Sequence, residues 1–162
     1  MKILIFSDSH GDTYAMRKAM SLHSDAAYAV FLGDGLHDAE TVMADYPGTT
    51  LMAVRGNCDL YGMDYPTERV FFAKNKKIFL CHGHTVGVKS GLGGLIGTAL
   101  RENADIALYG HTHVPSETYL SEYARPLYLF NPGSARKDTA GRGHYGILLI
   151  EGENILFSHA TA

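Results

Sequence analysis

Lys2-Ile3-Leu4-Ile5-Phe6-Ser7-Asp8-Ser9-His10 opens the chain, and this stretch decides the fold class. From Lys2 to Phe6 the run is apolar after its first residue, without the alternation of a half-exposed strand, so it predicts a strand buried on both faces. It stops at Ser7-Asp8-Ser9-His10, where a carboxylate and an imidazole stand two residues apart. Four further apolar segments stop in the same way. Ala27 to Leu32 ends in Gly33-Asp34-Gly35, Thr49 to Val54 in Gly56-Asn57, Lys77 to Cys81 in His82-Gly83-His84, and Ile106 to Tyr109 in Gly110-His111-Thr112-His113. Open α/β sheets bind ligands at the carboxyl ends of their strands. Five such ends carrying Asp, Asn and His read as one site.

Between these strands the pattern turns helical. Asp12-Thr13 offers an N-cap, and Met16, Ala19, Met20 and His23 follow at helical spacing. His37 to Tyr46 predicts a short helix stopped by Pro47-Gly48, and Leu92, Leu95, Ile96, Ala99 and Leu100 form one stripe within Leu92 to Asn103. Arg69 to Ala73 and Lys77 to Cys81 predict a hairpin around Lys74-Asn75-Lys76. Leu127 to Phe130 predicts a strand, and Tyr145 to Ile150 with Ile155 to Ser158 a hairpin turning at Gly152-Glu153. Strand and helix alternate in the first half and strands dominate the second, which predicts an α/β layered fold with mixed sheets.

The chain has 162 residues, within the range of one domain, and nothing marks a linker, so residues 1–162 read as a single domain. Fourteen basic against 17 acidic residues give a net charge of −3, which removes the electrostatic case for nucleic-acid binding. Hydrophobic residues at 46% and charged residues at 19% exclude disorder. The first apolar run is too short for a signal peptide, no stretch reaches the ~18 residues of a membrane span, and two cysteines, Cys58 and Cys81, make no disulfide framework. A soluble cytoplasmic protein is expected. Nothing in the chain fixes its oligomeric state, so a homo-oligomer is left open.

Taken singly, most site residues have plain structural readings. Asp8 could cap the following helix, Asp34 between two glycines suits a turn, Gly56-Asn57 is a common turn pair, and a lone His82 is more often an ordinary histidine than a ligand. Gly110-His111-Thr112-His113 differs, because two imidazoles entered through a glycine are hard to explain by packing. On an extended segment residues i and i+2 share a face, so the pairs Asp8/His10 and His111/His113 are each expected to point into one cleft. Cys81 then faces away, into the core. Gly91 to Gly97 lacks the spacing and the preceding strand of a dinucleotide fingerprint. His23, His144 and His159 read as surface or packing residues, and His37 as an exposed residue at a helix start.

The ordered set D-x-H, G-D, G-N-x-D, H-G-H and G-H-x-H, running from Asp8 to His113, resembles the calcineurin-like metallophosphoesterase superfamily, in particular its small bacterial and archaeal (YfcE-type) phosphodiesterases. Asn131-Pro132-Gly133-Ser134 is similar to that family as well. The resemblance implies a four-layer sandwich of two mixed β-sheets flanked by helices, with two divalent metal ions at the strand ends. It implies Asp8, His10 and His113 on the first metal, Asn57, His82 and His111 on the second, and Asp34 as the bridging carboxylate, with a hydroxide between the ions attacking phosphorus in line. Mn²⁺ is the favoured metal, with Fe, Zn²⁺ and Ni²⁺ as alternatives. Many members carry a His after the Asn, suggested to protonate the leaving group. Here Cys58 stands there, as in the small phosphodiesterases, which leaves the general acid unassigned and His84 as a substitute or a phosphate contact. Asp34, Asn57 and His84 are therefore the catalytic candidates.

Charge favours a small phosphodiester substrate. Two divalent ions, two carboxylates and one hydroxide leave a single positive charge, which matches a monoanionic diester, and Arg55 is the only arginine near a motif. The rival readings are a phosphomonoesterase and an interaction scaffold with a degraded metal site, like the retromer subunit that shares this fold. Every implied ligand position holds a competent residue, which favours the enzyme.

Overall fold

The computed structural model describes residues 1–61 and 63–162. β1 (Lys2–Phe6), β2 (Tyr28–Phe31) and β3 (Thr50–Ala53) run parallel. β9 (His144–Glu151) pairs antiparallel with β1, and β10 (Asn154–Thr161) with β9, giving one sheet in the order β10-β9-β1-β2-β3. β5 (Lys76–Cys81), β6 (Ile106–Leu108) and β8 (Leu127–Asn131) are the parallel centre of the second sheet. Its antiparallel edges are β4 (Glu68–Ala73) and β7 (Ser116–Leu120). Helices α1 (Tyr14–Leu22) and α2 (Leu36–Met43) cover the first sheet, and α3 (Gly93–Arg101) covers the second. The four layers are those expected.

Side-chain alternation builds three cores. Ile3, Ile5, Val30, Ile78, Leu80, Ile106, Leu108 and Phe130 meet between the sheets. Leu4, Phe6, Ala29 and Phe31 face the other way, against Met16, Ala19 and Met20 of α1 and Ala39 and Val42 of α2. Phe79, Cys81 and Ala107 pack on Leu95 and Ala99 of α3. Both faces of β1 are therefore covered, as its unbroken apolar run required, and Cys81 is a core residue.

Three local expectations are corrected. Thr13 sits at the N-cap of α1 but makes no side-chain cap bond; Asp12 Oδ1 instead accepts the Tyr14 N–H at 3.0 Å. The β4–β5 turn is tighter than expected, because Lys76 belongs to β5 and Lys74 takes φ +53°. β7 was not expected at all, since Ser116-Glu117-Thr118-Tyr119-Leu120 has no apolar run and lies on an edge.

Among the described residues no helix is long and apolar enough to cross a membrane.

Candidate metal centre

The carboxyl ends of β1, β2 and β3 from one sheet and of β5 and β6 from the other converge on one rim, and each hands its polar residues to it. Backbone bonds lace the loops together: Asp8 N–H to Gly33 O at 2.9 Å, His10 N–H to Asp34 O at 3.1 Å, and Gly110 N–H to His82 O at 3.0 Å. The loops approach so closely that a Cβ on Gly56 would fall on the Asp34 carboxylate, and one on Gly110 would meet Ser7 Oγ.

The side chains converge for a reason other than extended alternation. Asp8, His10, Asp34, His111 and His113 all take positive φ, between +46° and +67°. Left-handed backbone costs an L-residue roughly 1–2 kcal/mol, and Asp, Asn and His are among those that adopt it most often. The cost is accepted at the site and almost nowhere else, since only Lys74 and Asn103 join these five among the described non-glycine residues.

Asp8 is fully buried. Its Oδ2 accepts bonds from Ser7 Oγ at 2.5 Å and from the His111 N–H at 3.0 Å. Its Oδ1 is buried without a hydrogen bond, and imidazole nitrogens surround it: His113 Nε2 at 3.0 Å, His10 Nε2 at 3.8 Å and His82 Nε2 at 3.9 Å. A buried carboxylate oxygen left orphaned among ring nitrogens is costly unless a cation supplies the missing partner. His10 Nε2 and His113 Nε2 approach to 3.4 Å, and His82 Nε2 and His111 Nδ1 to 3.1 Å. The donor set suits divalent metal ions.

Asp34 lies between these two groups. Its Oδ2 is 3.3 Å from His82 Nε2 and 4.0 Å from His10 Nε2, and its Oδ1 accepts the Cys58 N–H at 2.7 Å. Burial alone would raise the Asp34 pKa, but His82 and the Cys58 amide hold it well below the ordinary carboxylate range. Burial disfavours charge on His82 too, yet its bond to Asp34 and the charges of Asp8 and Asp34 push its pKa up. His82 Nδ1–H donates to Leu32 O at 2.7 Å, which leaves Nε2 facing the site.

The donor atoms fall into three groups, each within 4.8 Å: Asp8, His10 and His113; Asp34, His82 and His111; and His10, Asp34 and Cys58. Cys58 was not read as a ligand. Burial, then its contact with Asp34, raises its thiol pKa, so the proton stays on. Asn57 lies on an exposed turn, where its Nδ2 donates to Cys58 Sγ at 3.3 Å rather than to an imidazole. The His84 ring centre is 5.4 Å from that of His82 and 6.2 Å from that of His111. Burial and the neighbouring His82 lower its pKa, so it is neutral at neutral pH, and its Nδ1 is buried without a partner among the described residues.

The sequence reading missed the supports beneath this cluster. Asp59 is the main one: Oδ2 accepts the N–H groups of Asp34 and Gly56 at 2.7 and 2.8 Å, and Oδ1 those of Gly35 and Leu36 at 2.8 and 2.9 Å. One carboxylate thus ties the Asp34 loop to the Asn57 loop and caps α2. Asp38 Oδ2 does similar work for the first loop, accepting from Ser9 Oγ at 2.6 Å and the Gly11 N–H at 2.8 Å. Asn131 Nδ2 donates to Gly110 O at 3.0 Å, and Ser134 Oγ to Asp8 O at 2.7 Å. The Arg136 backbone N–H also reaches Asp8 O, at 3.4 Å, and Ser134 Oγ, at 3.2 Å. The fourth position of G-N-x-D and the segment Asn131-Pro132-Gly133-Ser134 pointed toward Asp59, Asn131 and Ser134 without giving their partners, and nothing pointed toward Asp38. Of the histidines outside the motifs, His159 stacks on Phe130, with ring centres 4.4 Å apart.

Comparison with known proteins agrees with this geometry. Residues 1–153 match the model of the calcineurin-like phosphoesterase superfamily domain. Two relatives are the probable metallophosphoesterase YsnB of Bacillus subtilis, 33% identical over 94% of this chain and 86% of its own, and phosphodiesterase YfcE of Escherichia coli K12, 31% identical over 91% and 87%. Among solved structures, a phosphoesterase-like protein of Streptococcus pneumoniae superposes with TM-score 0.81 at 27% identity, covering 99% of this chain and 88% of that one. Vps29 of Chaetomium thermophilum superposes with TM-score 0.76 at 19% identity, covering 99% and 96%, and shares the fold. With the motif order, the layered sheets and the matched model in agreement, the chain belongs to the calcineurin-like phosphoesterase superfamily.

Proposed function

We propose that the chain is a metal-dependent phosphodiesterase with two divalent ions at the strand ends: one on Asp8, His10 and His113, one on Asn57, His82 and His111, and Asp34 shared by both. The observation that carries this reading is the position of Asp34 Oδ2 between His82 and His10. When bound, such a pair supplies positive charge to phosphoryl oxygens and acidity to a shared water. The chain's residues set the stage for it. Asp59 and Asp38 fix the loops, His82 keeps its tautomer through Leu32, and the Asn57 amide nitrogen is engaged with Cys58, which leaves its oxygen to ligate. His84, neutral at neutral pH, fits a hydrogen-bonding contact to substrate better than a proton donor. The imidazole and carboxylate set, with the Cys58 proton retained, favours Mn²⁺ over softer choices. A diester substrate is supported by the likeness to the phosphodiesterase YfcE and by the single net positive charge of the loaded centre. A cytoplasmic location belongs to the same proposal, with Cys58 and Cys81 both free.

Elemental analysis after supply of Mn²⁺, combined with kcat/KM for bis(4-nitrophenyl) phosphate and 4-nitrophenyl phosphate, tests the reading. Two ions per chain and a diester preference are expected, with Asp34→Asn abolishing turnover. At most one ion in excess Mn²⁺, or a clear monoester preference, overturns it.

A further inference from the structure

A cavity of about 430 Å³ opens beside the centre, walled by the start of α2 as far as Glu40 and by Cys58, Leu60, Tyr61, Asp64 and Tyr65. Cys58 and Gly35, which line it, directly follow Asn57 and Asp34 in the chain, so the cavity adjoins the loops that carry the proposed ligands. Its volume falls within the range of small-molecule sites.

The lining has one electrostatic character. Among the described lining residues Glu40, Asp59 and Asp64 are the carboxylates, His37 is the single imidazole, and there is neither lysine nor arginine. Asp59 is consumed by four backbone N–H groups, including those of Gly35 and Leu36 at the start of α2. Those amides are what an anion would otherwise use at this wall. Their capture by Asp59 removes the anion site and leaves Glu40 and Asp64 as the free charges of the lining, with the Arg69 guanidinium acting on Tyr65 from outside it. Tyr65 OH donates to Glu40 Oε1 at 2.9 Å, which fixes that carboxylate beside a phenol ring, and Tyr61 adds a second ring at the rim. Carboxylates joined with aromatic faces suit an ammonium group.

We infer that this cavity is the subsite for one ester arm of the substrate, and that it selects a cationic amino-alcohol arm over a neutral or anionic one. The inference rests on the phosphodiesterase reading above and deepens it by naming the substrate class. The diester lies with its phosphoryl group at the metals and its amino-alcohol arm directed past Cys58 toward Glu40 and Asp64.

Three diesters that release the same 4-nitrophenolate test it: 4-nitrophenyl phosphocholine, its uncharged isostere 3,3-dimethylbutyl 4-nitrophenyl phosphate, and the 4-nitrophenyl phosphodiester of 3-hydroxypropionate. With the Mn²⁺-loaded protein, kcat/KM for the choline ester is expected to exceed that of the isostere about tenfold, and the carboxylated ester is expected to be slowest. Glu40→Gln combined with Asp64→Asn keeps an acceptor for Tyr65 while removing both charges, and is expected to bring the choline-to-isostere ratio below about twofold. Calorimetry provides a readout apart from turnover, with phosphocholine binding the loaded protein more tightly than 3,3-dimethylbutyl phosphate. A ratio near unity in the native protein, or one that the double substitution leaves in place, overturns the subsite. If none of the three esters is cleaved, the diesterase reading fails instead, and calorimetry still decides the cavity: equal binding of the two monoesters overturns it.

Discussion

His82 Nδ1 and the carbonyl oxygen of Leu32 lie 2.7 Å apart across 50 positions of sequence. Leu32 follows the end of β2 in one sheet and His82 the end of β5 in the other, so the bond joins the two sheets at the rim. A carbonyl only accepts, so Nδ1 carries the proton and Nε2 presents its lone pair.

His82→Ala removes that bond and strands a carbonyl between the sheets. The metal-free variant is expected to lose about 1–3 kcal/mol from the unpaired group, measured as a lower urea midpoint. It is also expected to bind one ion fewer than the native protein by elemental analysis. Unchanged metal content would remove His82 from the ligand set.

Asp59→Asn replaces one of two accepting oxygens with an amide NH₂ that must face N–H donors. The loops carrying Asp34 and Asn57 then lose their common anchor. Metal affinity is expected to fall about 10–100-fold in titration calorimetry, while the strands keep their amide protection. Faster hydrogen exchange at Gly35, Leu36 and Gly56 would locate the loosening. Affinity equal to that of the native protein would show that the four bonds are dispensable.

In the metal-free protein Asp34 and His82 make opposite contributions to the pH profile. The Asp34 pKa is lowered on folding, so its contribution is present above the ordinary carboxylate range and is lost as pH falls through the folded value. The His82 pKa is raised, so its contribution is complete below the ordinary histidine value and is lost as pH rises through the folded one. Both are present together between about pH 4 and 6.5. His84 and His111, whose pKa values are lowered by burial and by His82, act in the opposite sense, so the His82 contribution is read as a difference: with EDTA present, the melting-temperature advantage of the native protein over His82→Gln is expected to shrink as pH is raised from about 6 to 8. An advantage that instead grows over this range would contradict the pairing.

The sheets were legible because their strands are buried on both sides. Unbroken apolar runs such as Ile3 to Phe6 and Ile106 to Leu108 have one structural use, and four of the five strands that end in site residues, β1, β2, β5 and β6, lie inside a sheet with a parallel neighbour. β7 was illegible because an edge strand with one exposed face needs no apolar run. The ligand types were legible for a related reason: Asp, Asn and His directly after buried strands have few structural uses in such number. The means of convergence was not. Spacing of two suggested an extended backbone, whereas Asp8, His10, His111 and His113 turn inward through positive φ, a state that tertiary hydrogen bonds select and that residue identity merely permits. Asp59 was hidden because its partners are backbone amides, which carry no residue-type signature, and Asp38 because it holds one such amide and a serine hydroxyl 29 positions away.

The positive φ values at five site residues also bear on time. Each of those turns is made while the chain folds and is held by bonds among the loops, Asp34 by Asp59 and His111 by Asp8 among them. On the proposed function, an arriving ion is therefore expected to meet donors already near their final bearing and to trade water for them one at a time, with no segment of backbone to reorder first. Association is then expected to be paced by the ion's own dehydration, and differences in affinity among variants to be carried by how long the ion stays.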